Sequence, residues 1–281
     1  MLINAATSLY LILGNPVKHS LSPALHNAAF SKLNMNSIYM AAEVKEQQLG
    51  EAVKGMRALQ VAGANITSPF KEAVIPFLDH VSEESALLQS VNTIINRQGL
   101  LYGETTDGIG FYRNLLVEYG KYEPAWPVML IGTGGAARSV AFTLAQKNMQ
   151  ELYILNRSEE RAQQLADLLR EHTPLKKTVT LGLSRANIEE AIDMCKVIIY
   201  SLPLDHNLVE ETLTKTSTKE KMLFDFRYEP VNTAVMNVFR ESGGESCNGL
   251  GMLFWQAVEA FELFTGEKAP LEAMKRSVNY S

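Results

Sequence analysis

Val128-Met129-Leu130-Ile131-Gly132-Thr133-Gly134-Gly135-Ala136-Ala137 decides the fold of this 281-residue chain. Four successive apolar residues suit a strand covered on both faces, and they stop at a glycine turn. Residues 136–147 then carry a helical pattern, and residues 151–155 form a second apolar run. Strand, glycine turn, helix and strand in that order make a dinucleotide-binding unit. Gly132 permits the tight turn, Gly134 lets a pyrophosphate approach the backbone, and Ala137 is small enough for the helix to pack close to the sheet. Unpaired N–H groups at the helix start face the phosphates, so Gly132, Thr133, Gly134, Gly135 and Ala136 form the expected cradle.

The second strand ends at Asn156-Arg157-Ser158, with Arg161 a helical turn on. An NAD-binding unit usually places a carboxylate there for the ribose hydroxyls. A 2′-phosphate carries about −1.5 to −2 charges near neutrality, so two guanidiniums, a hydroxyl and the Asn156 amide favour NADP. Ser158 also reads as a helix N-cap, and Arg161 as a solvated helix residue.

Outward from this unit, the composition is that of an ordinary soluble globular protein. The length suffices for two domains, with 46% hydrophobic residues for their cores. A formal net charge of −5 gives no basic surplus for nucleic acid or an anionic membrane. Cys195 and Cys247 have no metal-ligand spacing, so no metal is expected and a reducing cytoplasm fits. Residues 1–13 read as the approach to a first strand, and no apolar run reaches the roughly 20 residues that span a bilayer. A monomer or homodimer acting on a small molecule is the expected form.

Before the nucleotide unit, strand-like runs at 9–13, 38–44 and 61–66 alternate with helical patterns at 23–32 and 49–59. That alternation predicts a separate α/β domain over 1–107, closed by a hairpin of 91–96 and 100–103 around Arg97-Gln98-Gly99. A helix at 110–118 leads into a Rossmann-like domain over 108–245, with further strands at 179–183, 197–200 and 222–226. Helices at 250–264 and 271–278, within 246–281, are expected to return to the first domain.

Polar clusters sit at the ends of the early strands. Gly14-Asn15-Pro16-Val17-Lys18-His19-Ser20-Leu21-Ser22-Pro23 follows the first strand, where open α/β sheets bind ligands. Ser22-Pro23 also reads as a plain helix start, with Ser22 as the cap. Asn65-Ile66-Thr67-Ser68-Pro69-Phe70-Lys71 places a lysine at the start of a predicted helix, against its dipole. Asp107, in Thr105-Thr106-Asp107-Gly108, reads equally as a cap for the helix near Gly110.

Taken together, these blocks resemble the shikimate dehydrogenase family along nearly the whole chain. The matching stretches include His26-Asn27, Val91-Asn92-Thr93, Tyr228-Glu229-Pro230 and Gly249-Leu250-Gly251-Met252-Leu253 with Gln256. The resemblance implies an N-terminal substrate-binding domain, a Rossmann-like NADP-binding domain, and reversible NADPH-dependent reduction of 3-dehydroshikimate to shikimate in aromatic biosynthesis. It casts Lys71 and Asp107 as the catalytic pair. Ser20, Ser22, Thr67, Asn92 and Gln256 would hold the substrate's carboxylate and hydroxyls, Tyr228 would line the pocket, and Ser201 and Gly249 would touch the cofactor. The chemistry suits these roles: hydride delivery to a ketone develops charge on oxygen, which a lysine ammonium can stabilise and protonate.

Two departures from the family stand out. Thr105 replaces an asparagine, and Tyr200-Ser201-Leu202 replaces Asn-Ala-Thr beside the expected nicotinamide. A bulky Tyr200 and a lost hydroxyl at Leu202 would shift that ring or change the nucleotide or substrate accepted, unless backbone groups do the holding. Two other readings stay open: a quinate/shikimate dehydrogenase, with NAD use, and a non-catalytic NADP-binding regulatory module.

Overall fold

The computed structural model describes residues 3–120, 122–204 and 206–280. Two compact units divide the chain, Met1–Gly110 with Leu253–Ser281, and Phe111–Met252.

In the first unit come β1 (Ser8–Gly14), α1 (Ser22–Lys32), β2 (Ser37–Glu43), α2 (Leu49–Ala58), β3 (Gly63–Ile66), β4 (His80–Val81), α3 (Glu83–Leu88), β5 (Thr93–Arg97) and β6 (Leu100–Glu104). They build one mixed sheet, ordered β2-β1-β3-β5-β6-β4. β1 runs parallel to β2 and β3, whereas β5 is antiparallel to both β3 and β6. One edge of the sheet therefore gathers the C-terminal ends of β1, β3 and β6 and the N-terminal end of β5. The expected hairpin is present, but Arg97 pairs with Leu100, so the turn is Gln98-Gly99 alone. Both residues are left-handed, with φ of 55° and 90°, as a two-residue hairpin turn of this hand requires.

Val61 and Ala62 do not join β3. The Val61 N–H closes the end of α2 on the Met56 carbonyl at 2.9 Å, with Gln60 left-handed before it, so the strand starts only at Gly63. Strand β4 and helix α3 lie outside the sequence expectation because elements of two and six residues carry too little periodicity.

Helix α4 (Asp107–Tyr119) carries the chain into the second unit. There follow β7 (Val128–Ile131), α5 (Gly135–Gln146), β8 (Glu151–Asn156), α6 (Glu159–His172), β9 (Lys177–Gly182), α7 (Arg185–Met194), β10 (Val197–Tyr200), α8 (Asn207–Leu213), β11 (Met222–Asp225), α9 (Ala234–Glu241) and β12 (Glu245–Cys247). The sheet is all parallel, ordered β12-β11-β10-β7-β8-β9. In chain order this is the doubly wound Rossmann arrangement, with its switch point between β7 and β10. β7, β10 and β11 are wholly buried, which explains their unbroken apolar runs. Helix α5 packs on the sheet through buried Ala137, Ala141 and Ala145.

Helices α10 (Leu250–Thr265) and α11 (Leu271–Ser277) bring the chain back to the first unit. Phe261 and Phe264 join Tyr10, Phe30 and His26 in an aromatic core, with Tyr10 and Phe264 5.2 Å apart. Among the described residues, no helix is long and apolar enough to cross a membrane, and no cluster of metal ligands occurs.

Candidate active site

The first unit brings most of the expected substrate-side residues to one edge of its sheet. β1 and β3 are neighbours, and the loops leaving them stay in contact: Thr67 N–H donates to the Leu13 carbonyl at 2.9 Å, and Asn15 N–H to the Ser68 carbonyl at 3.1 Å. Gly14 makes this approach possible, since a Cβ there would lie 2.3 Å from the Thr67 methyl. Ser20 and Ser22 follow β1, while Thr67 and Lys71 follow β3.

Lys71 is not at a helix start as expected. Residues 71–74 form turns that lead into a short 3-10 segment, Ile75–Phe77, so opposition to a helix dipole is not what marks this lysine. Buried Phe70 anchors it, and the Lys71 carbonyl accepts from Val91 N–H at 2.9 Å. Its ammonium lies 2.5 Å from Asp107 Oδ2, with side-chain exposures of 20% and 6%. So enclosed a pair is unlike a solvated surface lysine.

Asp107 also differs from its alternative reading. It is the first residue of α4 and not a cap before Gly110; its carboxylate turns to Lys71 and to Asn92. Asn92 stands just before β5 and is itself buried. Its Oδ1 accepts from Thr106 N–H at 2.9 Å and from the Thr93 hydroxyl at 2.9 Å. Its Nδ2 therefore faces Asp107 Oδ1 at 2.9 Å, with Gln256 Oε1 at 3.4 Å. Gln256 reaches this point because α10 passes closely over Gly110, where a Cβ would lie 2.6 Å from the Gln256 nitrogen.

Ser22 is not the cap of α1. Leu21 holds that position without a side-chain bond, and Ser22 and Pro23 are the first two helical residues. Ser22 is buried, its N–H 3.3 Å from the Ser20 hydroxyl and its side chain against the Tyr39 hydroxyl.

In the second unit the glycine turn follows β7. Gly132 has φ of 99°, and a Cβ on it would meet the Ser201 hydroxyl at 2.5 Å. Ser201 Oγ donates to the Ile131 carbonyl at 2.7 Å, tying the turn after β10 to the glycine turn. Gly134 caps α5 and has open space where its Cβ would be. Thr133, Gly135 and Ala136 flank it, half-buried. After β8, Asn156 Nδ2 donates to the Ser158 carbonyl at 2.9 Å, and Ser158 does cap α6. Arg157 and Arg161 are exposed, and neither side chain takes a partner among the described residues. Glu159 and Glu160, which the sequence reading passed over, are turned elsewhere: Glu159 leans over Gly182 and Glu160 accepts from Gln164. An open glycine turn and two uncommitted guanidiniums fit a dinucleotide with an additional phosphate.

Tyr200 does not crowd this turn. Its ring is buried in the core with Ile131, Val209, Val235 and Met236, and its hydroxyl donates to the Leu204 carbonyl at 2.8 Å. Arg227 lies over that ring at 5.1 Å and holds buried Asp225 through Nε and Nη2, while the Thr233 hydroxyl donates to Asp225 at 2.7 Å. The bulky replacement is thus absorbed by the core, and it fixes the course of residues 200–204. Tyr228 follows Arg227; burial pushes its phenol upward, with Glu229 adding to the effect. Gly249 is required by packing, because a Cβ would sit 2.1 Å from the Phe226 carbonyl oxygen.

Comparison with known proteins agrees across the chain. Residues 12–94 match the shikimate dehydrogenase substrate binding domain, 124–235 the shikimate / quinate 5-dehydrogenase family and 249–278 the shikimate 5'-dehydrogenase C-terminal domain. The shikimate dehydrogenase (NADP(+)) of Alkaliphilus metalliredigens is 38% identical over 280 residues, covering 98% of each chain. The crystal structure of shikimate dehydrogenase from Aquifex aeolicus superposes with a TM-score of 0.86 at 34% identity, over 99% of each chain. That of Thermus thermophilus shikimate 5-dehydrogenase, in complex with NADP(H) and shikimate, gives 0.80 at 29%, over 97% of this chain and 98% of the other. With substrate-domain and Rossmann-domain signatures in one chain and full-length relatives well above 30% identity, this protein belongs to the shikimate dehydrogenase family.

Proposed function

We propose that this chain is an NADP-dependent shikimate dehydrogenase that interconverts 3-dehydroshikimate and shikimate. The observation that carries the reading is the enclosed Lys71–Asp107 pair, ringed by Asn92, Thr106 and Gln256, on a sheet edge that also presents Ser20, Ser22 and Thr67. Bound NADPH supplies the hydride. As charge develops on the ketone oxygen, the Lys71 ammonium stabilises it and donates the proton; in the reverse direction the amine removes it from the alcohol. Asp107 gives Lys71 its counter-charge and orients a neighbouring substrate hydroxyl. Short hydroxyl and amide side chains suit a ligand with three hydroxyls and a carboxylate, and the family resemblance assigns Tyr228 to the same ligand.

The Gly132–Ala136 turn is assigned to the pyrophosphate, and Asn156, Arg157, Ser158 and Arg161 to the 2′-phosphate. Ser201 acts by holding the glycine turn, and Gly249 by letting the backbone pack on Phe226 and bond to the Arg227 carbonyl. Neither Cys195 nor Cys247 is in a disulfide, which suits a reducing cytoplasm. Initial rates at 340 nm with shikimate or quinate, each with NADP or NAD, test the assignment. Fast turnover only with shikimate and NADP is expected; a preference for quinate with NAD would favour the quinate reading. Thermal stabilisation by NADP without any turnover would make the chain a binding module.

A further inference from the structure

His26-Asn27 belongs to the sequence blocks that carry the family resemblance, yet neither residue is among those assigned to substrate or cofactor. Both act on Tyr39, in edge strand β2. Asn27 grips its backbone from both sides, Nδ2 donating to the Tyr39 carbonyl and Oδ1 accepting from the Tyr39 N–H, each at 2.9 Å. The His26 ring stacks on the Tyr39 ring, 4.4 Å away and within 3° of parallel. Tyr39 is 1% exposed, and burial pushes its phenol well above its ordinary value, so it remains a donor.

What it donates to begins a chain of buried hydrogen bonds. Tyr39 Oη donates to Asn65 Oδ1 at 2.7 Å. Asn65 must then turn Nδ2 toward the Asn92 carbonyl at 3.0 Å and the Thr93 hydroxyl at 3.1 Å. With that donor on it, the Thr93 hydroxyl directs its own proton to Asn92 Oδ1 at 2.9 Å. Asn92 Nδ2 is thereby aimed at Asp107 Oδ1 at 2.9 Å, and Asp107 Oδ2 meets Lys71. Every proton in the series points toward the Asp107 carboxylate, so each bond polarises the next. Reversing any amide would place two donors or two acceptors face to face.

We propose that Tyr39 is a positioning residue for the Lys71–Asp107 pair, acting through Asn65, Thr93 and Asn92. The inference rests on the catalytic reading above, but its first readout does not. In Tyr39→Phe the ring and its stacking persist, while the donor to Asn65 and the hydroxyl that the Ser22 side chain meets are lost. The expected result is a shifted and broadened side-chain amide signal of Asn92 in 15N NMR of the ligand-free protein. In turnover, kcat should fall roughly 3- to 10-fold, about the effect of one neutral hydrogen bond, with the KM for NADP unchanged.

Tyr10→Phe is the matched control. Tyr10 faces Tyr39 directly across the β1–β2 pair and is similarly buried, and its variant should leave both readouts as in the wild type. Thr93→Val cuts the chain further along without changing volume, and it should lower kcat by a similar factor. An Asn92 signal unmoved by Tyr39→Phe overturns the proposal, whatever the activity. If that variant does not fold, a Thr93→Val enzyme with wild-type kcat and an unmoved Asn92 signal overturns it instead. A wild-type protein inactive toward shikimate would defeat the catalytic reading alone, leaving the NMR comparison to decide the chain.

Discussion

The edge of the first sheet and the turn region of the second handle polar groups in opposite ways. Around Lys71 and Asp107 the polar side chains are enclosed and already bonded to one another, from Tyr39 through Asn92 to the ion pair. After β8, Arg157 and Arg161 extend into solvent with no partner among the described residues. A group that moves a proton must be held where the charge will develop, and enclosure strengthens each electrostatic contact. A group that binds a phosphate need only supply charge when the ligand arrives, and an exposed guanidinium does so without a buried, unpaired cost. The contrast teaches that one end should respond to substitution as a unit and the other as independent contacts.

The largest effect should come from Lys71→Ala, with turnover falling about 10³- to 10⁴-fold while NADP affinity, read by fluorescence titration, stays within twofold. Combining it with Asp107→Asn should add little, since the two act together. Fully additive losses would break the comparison on the first-unit side. On the other side, Arg157→Ala and Arg161→Ala should each raise the KM for NADPH, together by roughly 10- to 100-fold, additively and with little effect on NADH. Equal losses with both nucleotides would remove the 2′-phosphate from these residues.

His26 sharpens the cost of a prebuilt region. Its ring nitrogens are buried without a partner among Tyr39, Phe30, Phe261 and Phe264, and burial lowers its pKa to about 3. The unfolded chain binds this proton below about pH 6.5 and the folded chain only near 3, so stability is full above 6.5 and declines as pH falls through that window. Between pH 7 and 5 the loss from this residue should be about 2 kcal/mol. Urea titrations at both pH values should show that increment in the wild type and not in His26→Leu. The smallest effect is expected from Tyr200→Phe, about 1 kcal/mol of stability from the lost bond to Leu204, with catalysis nearly intact. A large change in nicotinamide-dependent rate there would mean that residues 200–204 shape the site more than their buried anchor suggests.

Much of the candidate site's local structure was legible because it is local in sequence. The glycine turn, the residues after β8 and the strand-end clusters are short strings whose geometry follows from backbone sterics and capping. The errors arose where long-range contacts set the local structure. Ser22 lies inside α1 and faces Tyr39, Lys71 stands in a turn held by Val91, and Asp107 faces across to Lys71 from the first turn of α4. Tyr39 carried no signal of its own. Only the His26-Asn27 pair hinted at it, and their target is fixed by how α1 packs on β2.

By itself, then, the sequence of this protein determined two α/β domains and the glycine turn and pointed to NADP, because apolar periodicity, glycine dihedrals and local charge act over a few residues. The tertiary structure alone decided that Tyr200 turns into the core, that Lys71 is enclosed beside Asp107, and that Tyr39 heads a hydrogen-bonded chain to them. Those outcomes depend on which side chains meet across strands 26 to 36 residues apart, where burial leaves each polar group only the partners that the fold brings within reach.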